Sequence, residues 1–289
     1  MGGTSPLHST LTALAGDEHW CRYMAEEPSD DGWVGLDEVL DDGAILDSWY
    51  AGVLAGPARE HADVAGLFLA AWLSSVIGGT VAAAVLGQHR AWSSDAAALS
   101  VHRHPEGWFD GFAVARSIVL VLPDDPDAAH PGTEVVATVA SLRALVADDL
   151  VPLLERIFAG IRARAPFGLR GMWGSLADDV GAIAVALARR SGGGHEQQWA
   201  AAAALLDAMA ERASRVVARP ALRLVDWSGG VAPLSVRGTC CLWYKTNRRG
   251  PDRGGEDFCT TCPLRHPGDA DRRWATFLAE EAQREAARA

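Results

Sequence analysis

Apolar residues recur at helical spacing along most of the chain, and this periodicity predicts a mainly helical protein. The clearest early segment runs from Leu36 to Leu54, where apolar positions three and four residues apart precede the helix-stopping pair Gly56-Pro57. Further helices are predicted from Thr133 to about Asp148, from Pro152 to about Arg164, from Trp173 to Leu187, from His195 to Ala218, and after a cap at Asp269 or Asp271.

One stretch is more apolar than a surface helix. The 24 residues from Val64 to Gly87 carry no charge, and that length is enough to cross a bilayer. However, Ser74-Ser75 and Gly78-Gly79 dilute its hydrophobicity, and no basic cluster flanks it to set an orientation. We therefore predict a buried central helix, broken near Gly78-Gly79, and no stable membrane insertion.

Short β-strands interrupt the helices in two places. Trp108 to Ala115 and Ser117 to Leu122 are rich in β-branched and aromatic residues. Leu222 to Trp227 and Leu234 to Arg237 flank a glycine-containing turn. The predicted fold class is α+β, predominantly helical, with a few short strands and a small C-terminal portion.

The net charge of the chain bears on the kind of molecule that it binds. The formal net charge is −11 at pH 7, which disfavours nucleic-acid binding. Residues Met1 to Gly16 contain neither a basic segment nor a continuous apolar one, so we expect no secretory signal and a cytoplasmic location. In a reducing compartment, clustered cysteines are explained better by metal binding than by disulfide formation.

Four of the five cysteines lie within 23 residues near the C-terminus, as the neighbours Cys240 and Cys241 and the pair Cys259-Thr-Thr-Cys262. Packing gives cysteines no reason to gather in this way. Four thiolates form a soft ligand set that suits an iron–sulfur cluster or zinc. We therefore divide the chain into a mostly helical body, residues 1–234, and a C-terminal cluster-binding region, residues 235–289.

Iron–sulfur and zinc are both open from the residues alone, as is an incidental group of unligated thiols. A [2Fe-2S] cluster takes two ligands on each iron, so either each close pair serves one iron or the pairs interleave. Zinc ribbons usually present two Cys-x-x-Cys knuckles, which an adjacent Cys-Cys pair does not supply. Because neighbouring side chains on a strand point to opposite faces, we predict irregular backbone from Thr239 to Leu242, permitted by Gly238.

The cysteine region resembles a known family. The sequence Arg237-Gly-Thr-Cys-Cys-Leu-Trp-Tyr244, followed by Cys259-Thr-Thr-Cys-Pro-Leu264, is similar to the C-terminal signature of the FhuF-like ferric siderophore reductases. The likeness is specific over residues 235 to 285 and only general over the helical body. The 17 residues between Cys241 and Cys259 are more than this family usually has. We interpret the additional residues as an extension of a surface loop, because closing a longer loop costs little additional entropy.

The resemblance implies a [2Fe-2S] cluster held by Cys240, Cys241, Cys259 and Cys262. It also implies one-electron reduction of a ferric siderophore, of the hydroxamate type, which releases Fe(II) in the cytoplasm. The chain has neither a Walker motif nor a Rossmann glycine fingerprint, so the electron is expected from an external donor such as a ferredoxin or a flavin reductase. The alternative function is a siderophore-binding or assembly protein with a structural four-cysteine zinc site.

The segment from Cys240 to Ala275 differs from the acidic remainder because its net charge is about +2. A local positive field would attract an anionic donor or chelate and raise the potential of a nearby cluster. The residues predicted to dock substrate or donor are Trp243, Lys245, Arg248, Arg249 and Arg265.

Overall fold

The computed structural model of the protein describes residues 5–17, 21–213, 218–246 and 258–287. The described helices are α1 (Pro6–Asp17), α2 (Leu36–Asp41), α3 (Gly43–Ala55), α4 (Ala62–Ser74), α5 (Thr80–Gln88), α6 (Val139–Arg164), α7 (Leu169–Arg190), α8 (His195–Arg212) and α9 (Pro267–Ala286). The described strands are β1 (Arg22–Met24), β2 (Trp33–Gly35), β3 (Ala91–Trp92), β4 (Leu99–Arg103), β5 (Phe109–Val114), β6 (Val119–Val121), β7 (Thr133–Val135), β8 (Ala221–Trp227) and β9 (Gly230–Val236).

The prediction of an α+β, predominantly helical fold is confirmed. Helices α4 to α8 surround the main core, and the strands form two small sheets at its edge together with one separate hairpin. One sheet has the order β1-β5-β4-β2, in which β1 and β5 are parallel and the other pairs are antiparallel. The second sheet has the order β3-β6-β7, and β8 and β9 form the antiparallel hairpin.

The uncharged stretch forms one continuous buried helix and is not broken at Gly78-Gly79 as expected. A π-helical segment, Ser75–Gly79, joins α4 to α5 without a turn. A Cβ at Gly78 would lie 2.7 Å from Leu176 Cδ1, so the glycine permits close approach of α7 rather than a break. Residues Ala62–Gln88 are the one helix of the described chain long and apolar enough to cross a membrane. Its most apolar window is 78% buried inside the protein, which is consistent with a soluble protein.

Two predicted helix boundaries in the first half of the chain are wrong. The segment from Leu36 to Leu54 is divided at Asp42, because its carboxylate accepts the N–H of Ala44 at 2.9 Å and caps a new helix, α3. Thr133 belongs to strand β7 instead of capping a helix.

The helices predicted on either side of Pro152 are a single helix, α6. Thr138 caps its N-terminus by accepting the N–H of Ser141, and Pro152 lies inside it. A proline at this place removes one helical hydrogen bond, yet its neighbours Val151, Leu153 and Leu154 are buried in the core. Their packing therefore maintains the helix across the proline.

The ends of the last two helices also differ from expectation. Helix α8 ends at Arg212, short of the predicted Ala218. Helix α9 begins at Pro267, where His266 caps it by accepting the N–H of Gly268, so neither Asp269 nor Asp271 is the cap. Proline is well suited to the first helical position because its missing N–H would have no partner there.

The β8–β9 hairpin and α9 share a small core of their own. Val225, Leu234 and Ala270 are buried together, and the Trp274 indole N–H donates to the carbonyl of Pro233 at 3.1 Å. The division proposed at residue 234 therefore lies within β9, whose strand pairing continues to Val236. Residues from both sides of that division contribute to the same packed unit.

The N-terminal helix is fastened to the body by a buried guanidinium. Arg90 forms two hydrogen bonds with Asp125, at 2.8 and 2.6 Å, and also donates to Thr10 on α1 at 3.2 Å. The Arg90 and Asp125 side chains are 9% and 8% exposed, whereas that of Asp127, the second carboxylate on Arg90, is 36% exposed. Loss of Asp125 would leave the buried Arg90 guanidinium with only the more exposed carboxylate of Asp127 as an ionic partner.

We expect Asp125→Ala to lower the free energy of unfolding by about 3 kcal/mol, because it removes the buried half of this ion pair. The matched change Asp127→Ala removes a more exposed carboxylate from the same guanidinium and should cost less than about 1 kcal/mol. Urea denaturation of the two variants measures both values. Equal losses would show that the depth of burial does not determine the strength of this contact.

Candidate metal centre

The two cysteine pairs come together at the end of β9. Cys240 and Cys241 follow the strand, and Cys259 and Cys262 form a turn just before α9, in which the Cys262 N–H donates to the Cys259 carbonyl at 3.0 Å. The Arg237 N–H donates to the Thr261 carbonyl at 2.9 Å and joins the two segments. This backbone hydrogen bond, from the segment before Cys240 to the turn that contains Cys259 and Cys262, fixes the relative position of the two cysteine pairs.

Thiols from the two segments lie close enough to interact. Cys241 interacts with Cys259 and Cys240 with Cys262, and Cys262 also interacts with Cys241 and Cys259. All four cysteines lie in described segments, and none of them forms a disulfide. Within the described ranges, no three His, Cys, Asp or Glu side chains converge in the arrangement that one metal ion requires. The interactions across the two segments thus bring all four thiols into one group.

The environment of these thiols favours a thiolate at Cys259. A hydrogen bond from Cys241 lowers the pKa of Cys259 to about 7, and that same bond raises the pKa of Cys241. Burial raises the pKa of Cys262. The positive charge of Arg237 acts on Cys241 and Cys259 together and opposes the protonation of both.

The backbone at the adjacent pair is irregular, as predicted, but for a different local reason. Leu242 takes the left-handed φ of 58°, and residues Cys240 to Leu242 lie in neither helix nor strand. Gly238 is needed for space: a Cβ there would lie 2.5 Å from the Arg219 carbonyl oxygen. The left-handed residue therefore follows the two cysteines and turns the chain immediately after them.

A buried carboxylate on α7 holds the first cysteine segment. Asp178 Oδ1 accepts the Gly238 N–H at 2.6 Å, and its Oδ2 accepts Arg237 Nε at 3.1 Å and the Thr239 N–H at 3.3 Å. Its side chain is 3% exposed. Burial raises the pKa of Asp178, and Arg237 and the two N–H groups oppose that shift. Three donors on one carboxylate fix the residues that immediately precede Cys240.

Glycines on α7 let this segment approach the helix. A Cβ at Gly174 would lie 1.9 Å from Thr239 Oγ1, and one at Gly181 would lie 2.7 Å from Pro220. Gly174, Asp178 and Gly181 are spaced four and three residues apart and therefore share one helix face. That face combines two close backbone approaches with one hydrogen-bonding carboxylate.

Arg265 lies under the second cysteine pair. It is 7% exposed, its Nε donates to the Cys259 carbonyl at 3.1 Å, and its other nitrogens bind the Phe258 carbonyl and Asp269. These contacts fasten the Cys-x-x-Cys turn to the first turn of α9. The predicted role of Arg265 in docking a substrate or donor stays a prediction. Its buried contacts show that it also stabilises the Cys-x-x-Cys turn.

The remaining docking candidates divide into two groups. Trp243 is 49% exposed and stacks on Phe68 of α4 with ring centroids 5.6 Å apart, and Lys245 Nζ pairs with Asp63 of the same helix. These contacts place the short helical turn after Cys241 against the body and leave half of the indole accessible. Arg248 and Arg249 lie outside the described residues.

Sequence reasoning identified the four cysteines but missed the groups that position them. Asp178 received no role, although an acid among the apolar residues of a predicted buried helix was a usable signal. Arg237 was noted only as part of the motif. The partnership of these residues joins positions 59 apart in the chain, so no local pattern reveals it.

No protein-family model matches this chain, and no curated protein gives a significant match. The likeness to the ferric siderophore reductases therefore rests on the cysteine signature alone. This likeness gives no information about residues outside that signature.

We expect Asp178→Asn to increase the amide hydrogen-exchange rates of Gly238 and Thr239 roughly tenfold or more, because each loses a charged acceptor. Mass spectrometry on peptides that cover residues 237–242 measures this. The control is Asp207→Asn, which removes an exposed partner of Arg219 and should leave those amides unchanged. Unaltered exchange in Asp178→Asn would mean that other contacts hold the segment.

Proposed function

We propose that the protein is a cytoplasmic ferric siderophore reductase whose redox centre is a [2Fe-2S] cluster. The supporting observation is that Cys240 and Cys241, which follow β9, lie close to Cys259 and Cys262 in the turn before α9. Two irons need four thiolates, and these two segments supply four. The adjacent Cys240-Cys241 pair differs from the Cys-x-x-Cys knuckles that usually hold structural zinc.

The chain fits such a group through charge as well as through ligand type. Four thiolates concentrate negative charge, and the positive charge of the Arg237 guanidinium acts on Cys241 and Cys259. Arg237 is itself held by Asp178 and has a raised pKa: burial alone would lower it, and the carboxylate more than offsets that effect. The protein thus keeps a permanent cation at the sulfur atoms, which favours their ionised form.

When bound, the cluster would supply one-electron transfer and no proton chemistry. This matches the needs of a siderophore substrate. Hydroxamate and catecholate oxygens are hard ligands that hold Fe(III) strongly, whereas Fe(II) is less charged and is held far more weakly. One electron therefore releases the metal and leaves the chelator intact.

The protein's own residues position and shield the site. Cys262 is buried, and Arg265 beneath it binds the backbone of the turn. On the other side, Leu242 packs against the apolar side chains of α4, and Trp243 covers Phe68. A rigid, partly dry setting keeps the ligand geometry unchanged between redox states. The electron itself is proposed to come from a ferredoxin or a flavin reductase.

Anaerobically purified protein should contain two irons and two sulfides per chain and should show visible absorption that bleaches with dithionite. Each of the changes Cys240→Ser, Cys241→Ser, Cys259→Ser and Cys262→Ser should lower iron content and absorption. Cys21→Ser is the matched control, since Cys21 is buried next to β1, and iron should be retained. A colourless protein with one zinc per chain would refute the proposal and favour the structural-zinc alternative.

The reduced protein should be reoxidised by a ferric tris-hydroxamate with one Fe(II) formed for each cluster oxidised. Stopped-flow absorption measures the cluster, and a ferrous-specific chelator such as ferrozine measures the product. A small outer-sphere oxidant, hexaammineruthenium(III), serves as a control for a redox-competent centre. Rapid reaction with that control and none with any ferric chelate would leave an electron-transfer protein without siderophore reductase activity.

A further inference from the structure

The four cysteine sulfurs share one arrangement: each has a hydrogen-bonding group on the residue two positions further along the chain. At three of them the group is a backbone N–H, and the donor and acceptor residues are Leu242 and Cys240, Trp243 and Cys241, and Leu264 and Cys262. A backbone N–H can only donate, so it favours a thiolate over a thiol. These three donors are present whatever side chain the residue carries.

The fourth sulfur, that of Cys259, has a side-chain group instead. Thr261 Oγ1 lies 3.8 Å from Cys259 Sγ, and between a hydroxyl and a free thiol either atom can donate. A thiolate that binds a metal has no proton, so the hydroxyl must then be the donor. Thr261 is thus the one of these four positions at which the donor depends on the type of residue.

The backbone of the turn holds this hydroxyl in place. The Thr261 carbonyl accepts the Arg237 N–H at 2.9 Å, and the Cys262 N–H donates to the Cys259 carbonyl at 3.0 Å. Arg265 Nε donates to the same Cys259 carbonyl at 3.1 Å. Because none of these bonds uses the Thr261 side chain, the hydroxyl can be removed while the bonds that hold the turn remain.

The cations near the cysteines are less effective than the hydrogen-bond donors. Arg237 and Lys245 act electrostatically on the thiols, but each is paired with a carboxylate, Asp178 and Asp63 respectively. The two ion pairs therefore cancel part of the positive field at the sulfur atoms. The sulfur donors act at contact distance, and the carboxylates do not cancel them.

We propose that the Thr261 hydroxyl raises the reduction potential of the cluster by donating a hydrogen bond to the Cys259 sulfur. The inference rests on the proposed function, because it assigns a residue to the redox centre of that reaction. The reduced state has one more negative charge than the oxidised state, so a donor at a ligating sulfur stabilises it more. Thr261 is a positioning residue in this sense and not a catalytic one.

The step that Thr261 influences is the transfer of one electron. That electron comes from the external ferredoxin or flavin reductase and passes to Fe(III) of the chelate, which becomes Fe(II). No covalent bond of Thr261 forms or breaks, and its hydroxyl proton stays on Oγ1. A higher potential makes reduction by the donor more favourable and lowers the driving force toward the ferric chelate. The hydroxyl therefore divides the available driving force between the two transfers.

The test is Thr261→Val, which keeps the β-branched shape and removes the hydroxyl. At a fixed solution potential, the ratio of reduced to oxidised cluster should fall about tenfold. For a one-electron couple this corresponds to a midpoint potential lower by about 59 mV. Anaerobic redox titration of the full-length protein, followed by visible absorption and electron paramagnetic resonance, measures it. A midpoint potential equal to that of the wild type would overturn the proposal.

Two further variants separate the hydroxyl from the shape of the turn. Thr260→Val makes the same change at the preceding residue, which is also partly buried but whose hydroxyl is not the one beside Cys259. Its potential should equal that of the wild type. Thr261→Ser restores a hydroxyl and should recover most of the lost potential. Equal shifts in the two valine variants, or no recovery with serine, would show a structural effect and refute the proposal.

Iron and sulfide analysis distinguishes an effect on potential from an effect on cluster binding. All three variants should contain two irons and two sulfides per chain, as expected for the wild type. Loss of iron in Thr261→Val with retention in Thr261→Ser would mean that the hydroxyl holds the ligand in position. That result would also contradict the proposed effect on potential.

Different results contradict this inference and the proposed function. A wild-type cluster that reduces ferric tris-hydroxamate, with a potential that Thr261→Val leaves unchanged, would support the reductase and overturn the role of Thr261. A cluster that reacts with no ferric chelate, with a potential lowered by Thr261→Val, would do the reverse. Protein isolated with one zinc and no iron would overturn both.

Discussion

The structure around the cysteines depends on one buried carboxylate. Asp178 on α7 accepts hydrogen bonds from Arg237, Gly238 and Thr239, all in the segment that leads into Cys240. An ionised group with 3% of its side chain exposed is tolerated only when its oxygens are fully used, and here three donors use them. The direction in which the chain leaves β9 is therefore set by α7 rather than by the hairpin.

This constraint also explains why the cysteine-bearing region is not a loose appendage. The segment is held on one side by Asp178 and the glycine face of α7. On the other side, Lys245 pairs with Asp63 of α4, and Trp243 stacks on Phe68. The cysteine segments are thus fastened to the core helices α4 and α7 and, through Arg265 and Asp269, to α9. Changes in the body can reach the thiols through rigid contacts, because packed helices do not deform continuously.

Elements whose evidence is local could be predicted from the sequence. Predictions of helix boundaries were wrong where contacts with residues distant in the chain determine them. The apolar period of α7 and the uncharged stretch of α4 and α5 were enough to predict buried helices, and the four cysteines formed an unmistakable cluster. The break expected at Gly78-Gly79 and the helix end expected before Pro152 were wrong, because packing of the surrounding core outweighs local propensity there. A glycine can provide space for a neighbour as readily as it can end a helix.

The candidate site shows the same limit more sharply. The residue types of a metal centre could be found from spacing, but the approach of the two cysteine segments depends on the backbone bond between Arg237 and Thr261 and on the hydrogen bonds of Asp178. Neither has a sequence signature.

The position of Arg237 links these observations. Its guanidinium donates to Asp178, and its positive charge acts on Cys241 and Cys259. A cation held in this way favours the ionised form of thiols that would otherwise be disfavoured by burial. Without the carboxylate, the guanidinium would lose the partner that offsets its own burial. The carboxylate that fixes the segment before Cys240 thereby also holds the cation that makes thiolates less costly at this place.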